Sequence, residues 1–246
     1  NYYAGEWKHN KKHGYGMYSF ETGSTFDGQW VNDAMTGQGT SMDKDGNIYS
    51  GEWFANQKHG YGVYKDAQGN QYSGDWVKNS RTGKGSLTLA DGSICKGMFV
   101  DGKMHGQGVM IKADGESYDG QWVNGFKQGE GVYRFKSGAY YEGQFDKDKC
   151  AGQGCWVSKD NDMYNGEWKN NKRHGWGFFR SSSGYLYSGD WVNDKQEGYG
   201  KIEFPDGTMY EGDFKSGQMH GQGVFMVSSG KFFVGRFVKG TLVADC

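Results

Sequence analysis

The chain has 246 residues but only one proline, four cysteines and six histidines. With so little proline, nothing interrupts a backbone hydrogen-bond ladder. No apolar run approaches the roughly 20 residues that a membrane-spanning helix needs, and no signal-peptide pattern opens the chain. A formal net charge of −1 excludes nucleic-acid binding of the bulk-basic kind. Cys95, Cys150, Cys155 and Cys246 are too few and too irregularly placed for a disulfide or metal framework, so a reducing, intracellular setting is expected.

Glycine and aromatics are abundant instead: 44 glycines, and 17% aromatics against 35% hydrophobics in all. The glycines are periodic. That of Tyr-x-Gly-x-Trp falls at 5, 28, 51, 74, 97, 120, 143, 166, 189, 212 and 235, a step of 23 without insertion. His-Gly-x-Gly keeps the same step, its first glycine running from Gly14 to Gly221. A further series runs from Gly23 to Gly230, with Asn161 as its one substitute. All but four of the 44 glycines belong to these series. The other four share a column with Asn10, Asp33, Asn56, Asn79, Asp148, Asn171 and Asp194. Those residue types best tolerate positive φ, so a left-handed turn is expected there.

Strict repetition makes the chain one array over residues 1–246, with units starting near 2, 25, 48, 71, 94, 117, 140, 163, 186 and 209 and a partial unit at 232–246. It begins at Asn1 inside a unit and so reads as a fragment. Within a unit the period is two: Tyr164, Gly166 and Trp168 share a strand face, and so do Gly175, Gly177 and Phe179 after a turn at Asn170 and Asn171. Each unit is therefore expected to be a β-hairpin, and the chain an antiparallel meander about 100 Å long. Glycine in mid-strand makes room for Tyr and Trp rings from neighbouring strands, giving an aromatic core one layer thick.

Tyr-x-Gly-x-Trp, x-x-Asn/Gly-x-x-His-Gly-x-Gly and Asp-Gly at a 23-residue step over residues 2 to 237 resemble the MORN (membrane occupation and recognition nexus) repeat. The resemblance implies an all-β fold: an elongated, twisted, single antiparallel sheet of stacked hairpins with an aromatic-lined groove. It also implies scaffold roles at cytoskeletal or ciliary structures such as radial spokes, or a regulatory array within a larger lipid kinase or methyltransferase. The sequence departs from the pattern at Cys95 (for Tyr), at Met98 and Arg236 (for the acid or amide), and in a last unit without Gly-x-Gly. Those departures put the packing of the fifth unit in question and make Thr241 to Cys246 a cap or tail.

Gly-x-Gly lies on a strand in every copy and precedes no helix, which removes the phosphate-loop reading. The histidine column reads His13, Thr36, His59, Thr82, His105, Gln128, Ala151, His174, Glu197 and His220. Its histidines stand at least two units apart, roughly 20 Å, too far to share a metal ion. The residue after the strand glycine alternates between acid (Glu6, Glu52, Asp75, Glu167, Asp190, Asp213) and Gln (Gln29, Gln121, Gln144). That exchange fits hydrogen bonding, because an amide cannot act as a general base. No catalytic residue, metal site or cofactor is expected, and the chain is read as a non-enzyme.

Two surfaces are candidates for function. The groove would present Tyr49, Trp53, Tyr72, Trp76, Tyr118, Trp122, Tyr164, Trp168, Tyr187 and Trp191 to a peptide or helix of another protein. The hairpin turns would project from one edge carrying sixteen of the 28 basic residues against five acids. Lys8, Lys11, Lys12, Lys78, Arg81, Lys147, Lys149, Lys169, Lys172 and Arg173 are the candidate anion or phospholipid ligands there, each worth about 1 kcal/mol near an anionic bilayer. Open strand edges make a homodimer a further expectation. The leading reading is a scaffold at a cytoplasmic, cytoskeletal, ciliary or membrane-associated complex; the alternatives are a phosphoinositide tether and a regulatory array.

Overall fold

The structure is a computed structural model that describes residues 1–243. Cys246 and the end of the expected tail lie outside the described residues; Thr241–Val243 is a short strand paired with Arg236–Val238. The described residues form 22 strands and no helix. Two compact units are distinguished, Asn1–Phe126 and a second from Lys127 onward. In each, every strand pairs antiparallel with its neighbours in chain order, as expected of stacked hairpins.

The ten full repeats are built alike. A seven-residue strand, such as Met163–Lys169, turns through two residues into a nine-residue strand, Lys172–Arg180. Both turn residues have positive φ, Asn170 at 52° and Asn171 at 64°. This is the type I′ arrangement, whose twist matches that of the strands it joins. The Gly/Asn/Asp column fills the second place, as expected. The first place also takes His9, Ala55, Lys78, Asp101, Lys147 and Ser216 at positive φ, a strain that residue type did not advertise. Turn stitches to turn, because the second residue's side chain reaches back one repeat: Asn171 Oδ1 accepts from Cys150 N at 2.7 Å and Asp194 Oδ1 from Arg173 N at 3.0 Å.

The second strand pairs in step on the side of the next repeat, and with a slip inside its own hairpin. Gly175, Gly177 and Phe179 pair in step with Trp191, Gly189 and Tyr187. On the other side the ladder slips between Gly166–Gly177 and Trp168–Arg173. Gly175, at φ +61, sits in this bulge, and the next amide, Trp176 N, donates to Glu167 Oε1 at 3.1 Å. Gln29 and Gln144 accept the same bond in their repeats, from Gln38 N and Gln153 N. Carboxylate and amide interchange because the bulge needs only an acceptor.

A row of paired glycines crosses each unit. In the second it runs Gly131, Gly143, Gly154, Gly166, Gly177, Gly189, Gly200, Gly212, Gly223 and Gly235, each opposite the next. Rings fill the space above it. The Tyr164 ring covers Gly177 so closely that a Cβ there would collide with it, and Tyr49 covers Gly62 likewise. Each tyrosine hydroxyl then donates to a carbonyl of its own strand, Tyr164 to Glu167 O at 2.9 Å. The indole N–H of Trp30, Trp53, Trp76, Trp122, Trp168 and Trp191 donates to a glycine carbonyl one repeat earlier, as from Trp168 to Gly154 O at 3.0 Å and from Trp30 to Gly16 O at 2.8 Å. The rings meet edge to face, Tyr164 being 5.2 Å from Trp168 and 5.4 Å from Trp191. Such pairs contribute about 0.5–1.5 kcal/mol each beyond the area they bury.

At Cys95, where a ring is missing, the thioether end of Met104 lies over Gly108 in the place a tyrosine takes elsewhere, and Met104 is buried. The fifth repeat keeps its core by drawing on a different residue.

Candidate interaction face

The tyrosines named from sequence, Tyr49, Tyr72, Tyr118, Tyr164 and Tyr187, are 0–1% exposed, covered by the rings around them. Trp53, Trp76, Trp122 and Trp191 are also buried, whereas Trp168 is half-buried. The aromatic face also carries a column that sequence reasoning passed over, two residues beyond the second glycine of Gly-x-Gly, half-buried at most places and buried at Tyr133. It holds Tyr18, Tyr64, Tyr133, Trp156 and Phe179, paired across the ladder with the tyrosine column, as in Tyr164–Phe179 and Tyr141–Trp156. Its nearly unbroken apolar character was the available signal.

The ten candidate cations divide. Lys8, Lys11, Lys78, Lys147, Lys149, Lys169 and Lys172 are exposed at or beside the hairpin turns. Lys12, Arg81 and Arg173 are half-buried and lie against rings instead. Lys12 Nζ is 4.2 Å from the Tyr18 centroid, 4.6 Å from Trp30 and 6.0 Å from Tyr3. The Arg173 guanidinium is 4.2 Å from Trp191 and 5.7 Å from both Tyr164 and Phe179. Arg81 stands 5.5 Å from Tyr72. Lys58 and Lys127, which sequence reasoning did not single out, occupy the same column: Lys58 is within 5.3 Å of Tyr49, Tyr64 and Trp76, and Lys127 is 4.4 Å from Tyr133. Register places them there, since this column pairs with the tryptophan column, as in Trp53–Lys58 and Trp168–Arg173. Part of each candidate set therefore meets on one face.

Electrostatics follows burial. Desolvation lowers the Lys58 pKa while Asp43 pulls it back up, and hydrogen bonds from Asn47, one at 2.7 Å, hold Asp43 below the usual carboxylate range. Burial pushes the Cys150 thiol up to about 11. Arg173 is also tied to Asp194, Nε to Oδ1 at 3.3 Å and Nη2 to the backbone carbonyl at 3.1 Å.

Between these side chains the face of the second unit opens into clefts. One of about 410 Å³ is lined by rings including Tyr141, Trp156 and Trp168, with Lys127, Asp148, Cys150 and Asn171. A neighbour of about 330 Å³ shares Trp156 and Trp168 and adds Asp162, Arg173, Phe179 and Asp194. Among the described residues no group of three or more His, Cys, Asp or Glu is placed to hold a metal ion. The buried Nδ1 atoms of His13, His105 and His174 have no hydrogen-bond partner among the described residues.

The model of the MORN repeat matches this chain ten times in succession, at residues 3–25, 26–48, 49–71, 72–94, 95–117, 118–140, 141–163, 164–184, 187–209 and 210–231. The chain belongs to the MORN repeat family. Among solved structures, this MORN chain is similar to the TCP10 domain of Danio rerio CPAP in complex with a peptide of Danio rerio STIL, at 10% identity, covering 92% of this chain and 98% of that one with a TM-score of 0.48. A second structure, of the wild-type TCP10 domain of Danio rerio CPAP, is matched at 11% identity over 80% and 93% of the two chains, TM-score 0.44. The SAS-4 (dCPAP) TCP domain of Drosophila melanogaster, in complex with a proline-rich motif of Ana2, is matched at 10% over 71% and 88%, TM-score 0.39.

Proposed function

We propose that this MORN chain is a non-enzymatic scaffold whose aromatic face docks an extended polypeptide of a partner protein, at a cytoskeletal, ciliary or membrane-associated complex. The observation that carries it is the pair of ring-lined clefts sharing Trp156 and Trp168, which make a continuous apolar track from Lys127 to Asp194 with charged groups on its walls. Rings in a shallow cleft with a few polar groups suit peptide capture, where a few anchors dominate the affinity. The test is selection of random displayed peptides on the chain. Binding of the selected peptides should fall at least tenfold with Phe179→Ser, on the aromatic face, and persist with Tyr199→Ser on the opposite face. Indifference to Phe179 would remove the reading.

A second reading, lipid contact, is favoured by the exposed turn cations Lys147, Lys149, Lys169 and Lys172. Sedimentation with phosphoinositide vesicles should then weaken steeply as salt rises and weaken again with Lys169→Glu/Lys172→Glu, without loss of peptide capture. Binding that ignores salt sinks it.

A further inference from the structure

Two places beyond each of the first ten hairpin turns, one column holds Lys12, Met35, Lys58, Arg81, Met104, Lys127, Cys150, Arg173, Gln196 and Met219. Nine of these are long, unbranched side chains able to lie across the aromatic face. Cys150 alone is short.

At four of the column's five cations, aromatic residues stand nine before, six after and eighteen after the cation; at Arg81 the second of these places holds Leu87. Lys12 has Tyr3, Tyr18 and Trp30; Lys58 has Tyr49, Tyr64 and Trp76; Arg173 has Tyr164, Phe179 and Trp191. At the same offsets from Cys150 stand Tyr141, Trp156 and Trp168. All three rings line the cleft of about 410 Å³, with Cys150 in its wall. All three ring positions are filled, and the column's own residue there carries no cation.

We propose that this cleft takes an arginine side chain from a partner polypeptide, in the place that Arg173 fills one repeat later. The proposal rests on the docking reading above and names the anchor. Two of the three rings are indoles, the strongest cation–π acceptors, and a planar guanidinium stacks on them better than an ammonium. Trp191, beneath Arg173, is 4% exposed, whereas Trp168, which lines the cleft with Cys150, is only half-buried and keeps some ring surface open to it. Asn171 lines the cleft at the position from which Asp194 accepts from Arg173 Nε. Its carbonyl oxygen already accepts from Cys150 N and keeps a second lone pair. Lys127 is the like charge on the wall, and Asp148 on the same wall offsets it. The neutral thiol adds no charge of its own.

The test follows the indole ¹H–¹⁵N signals of the whole chain, with Trp156 and Trp168 assigned by replacement with Phe. The probes are acetyl-Gly-Gly-Arg-Gly-Gly-amide, its citrulline counterpart, which keeps the shape but not the charge, and the same peptide with Trp for Arg. The arginine peptide should shift the Trp156 and Trp168 signals saturably, with citrulline about tenfold weaker. Cys150→Arg should plug the cage from within and abolish the response while leaving the melting temperature unchanged or raised. Should that variant fail to fold, Cys150→Met closes the slot with the side chain that Met35 and Met219 already use. Equal response to arginine and citrulline, a response that survives plugging, or one confined to other indoles overturns the cage. Response to the tryptophan peptide alone overturns the cage yet leaves the docking face standing; silence from all three peptides, together with failed peptide selection, overturns both.

Discussion

The Tyr164 ring lies across Gly177 on the adjacent strand, with its hydroxyl donating to Glu167 O at 2.9 Å, so the glycine is a contact surface for the ring. Gly177→Ala should therefore destabilise by about 1–3 kcal/mol through overpacking. Gly46, at φ +85 with open space where a methyl group would stand, has only a backbone reason to be glycine, and Gly46→Ala should cost about 1 kcal/mol. Equilibrium urea unfolding separates the two, and equal costs would contradict the ring account.

Glu167 serves the bulge as an acceptor for Trp176 N. Glu167→Gln should change stability by less than about 0.5 kcal/mol, while Glu167→Leu, which leaves the amide without its partner, should cost about 1–2 kcal/mol. A Gln variant as damaged as the Leu variant would show that charge matters after all.

Met104 stands in for the ring that Cys95 cannot supply. Met104→Ala should cost about 2–5 kcal/mol, the range for truncating a buried methionine. Cys95→Tyr alone should also destabilise, by forcing its ring against Met104. The double replacement should recover much of both losses, a coupling that a double-mutant cycle measures directly. Strict additivity would refute the exchange of roles.

Alkaline pH should unfold the chain. Burial pushes Tyr72 and Tyr210 up to about 12, and Tyr49, Tyr141, Tyr164 and Tyr187 higher still. The unfolded chain ionises its tyrosines near pH 10, so between about pH 10 and 12 it binds fewer protons than the folded one. Stability then falls as pH rises, being fully present below pH ~10 and lost through the folded-state values. Melting temperatures across pH 7 to 12 should stay flat to about pH 9 and then drop steeply. A flat profile to pH 12 would mean that these hydroxyls are not buried.

The position of each strand was legible because repetition supplies many readings of one pattern. Glycine, Tyr and Trp columns in a 23-residue period admit a hairpin and little else. The acid/amide exchange after the strand glycine likewise pointed to hydrogen bonding, and the bulge showed that the bond is accepted. Other features were not legible. Nothing in Ala55 or Lys78 announces positive φ, because the requirement comes from the twist of the flanking strands. Lys12, Arg81 and Arg173 looked like turn-edge charges, since distance along the chain cannot show which side of a bulge a side chain leaves from.

What the sequence alone determined here is local and periodic: strand, turn, glycine space and the kinds of ring that fill it. What only the tertiary structure decided is which residues, nine, six and eighteen positions apart, converge around one point. The ladder slips once per hairpin, and that slip carries Lys58, Arg173 and their column over the rings of two neighbouring repeats. Convergence across strands depends on register, and register is set by the bulge, whose offset no single column of residues records.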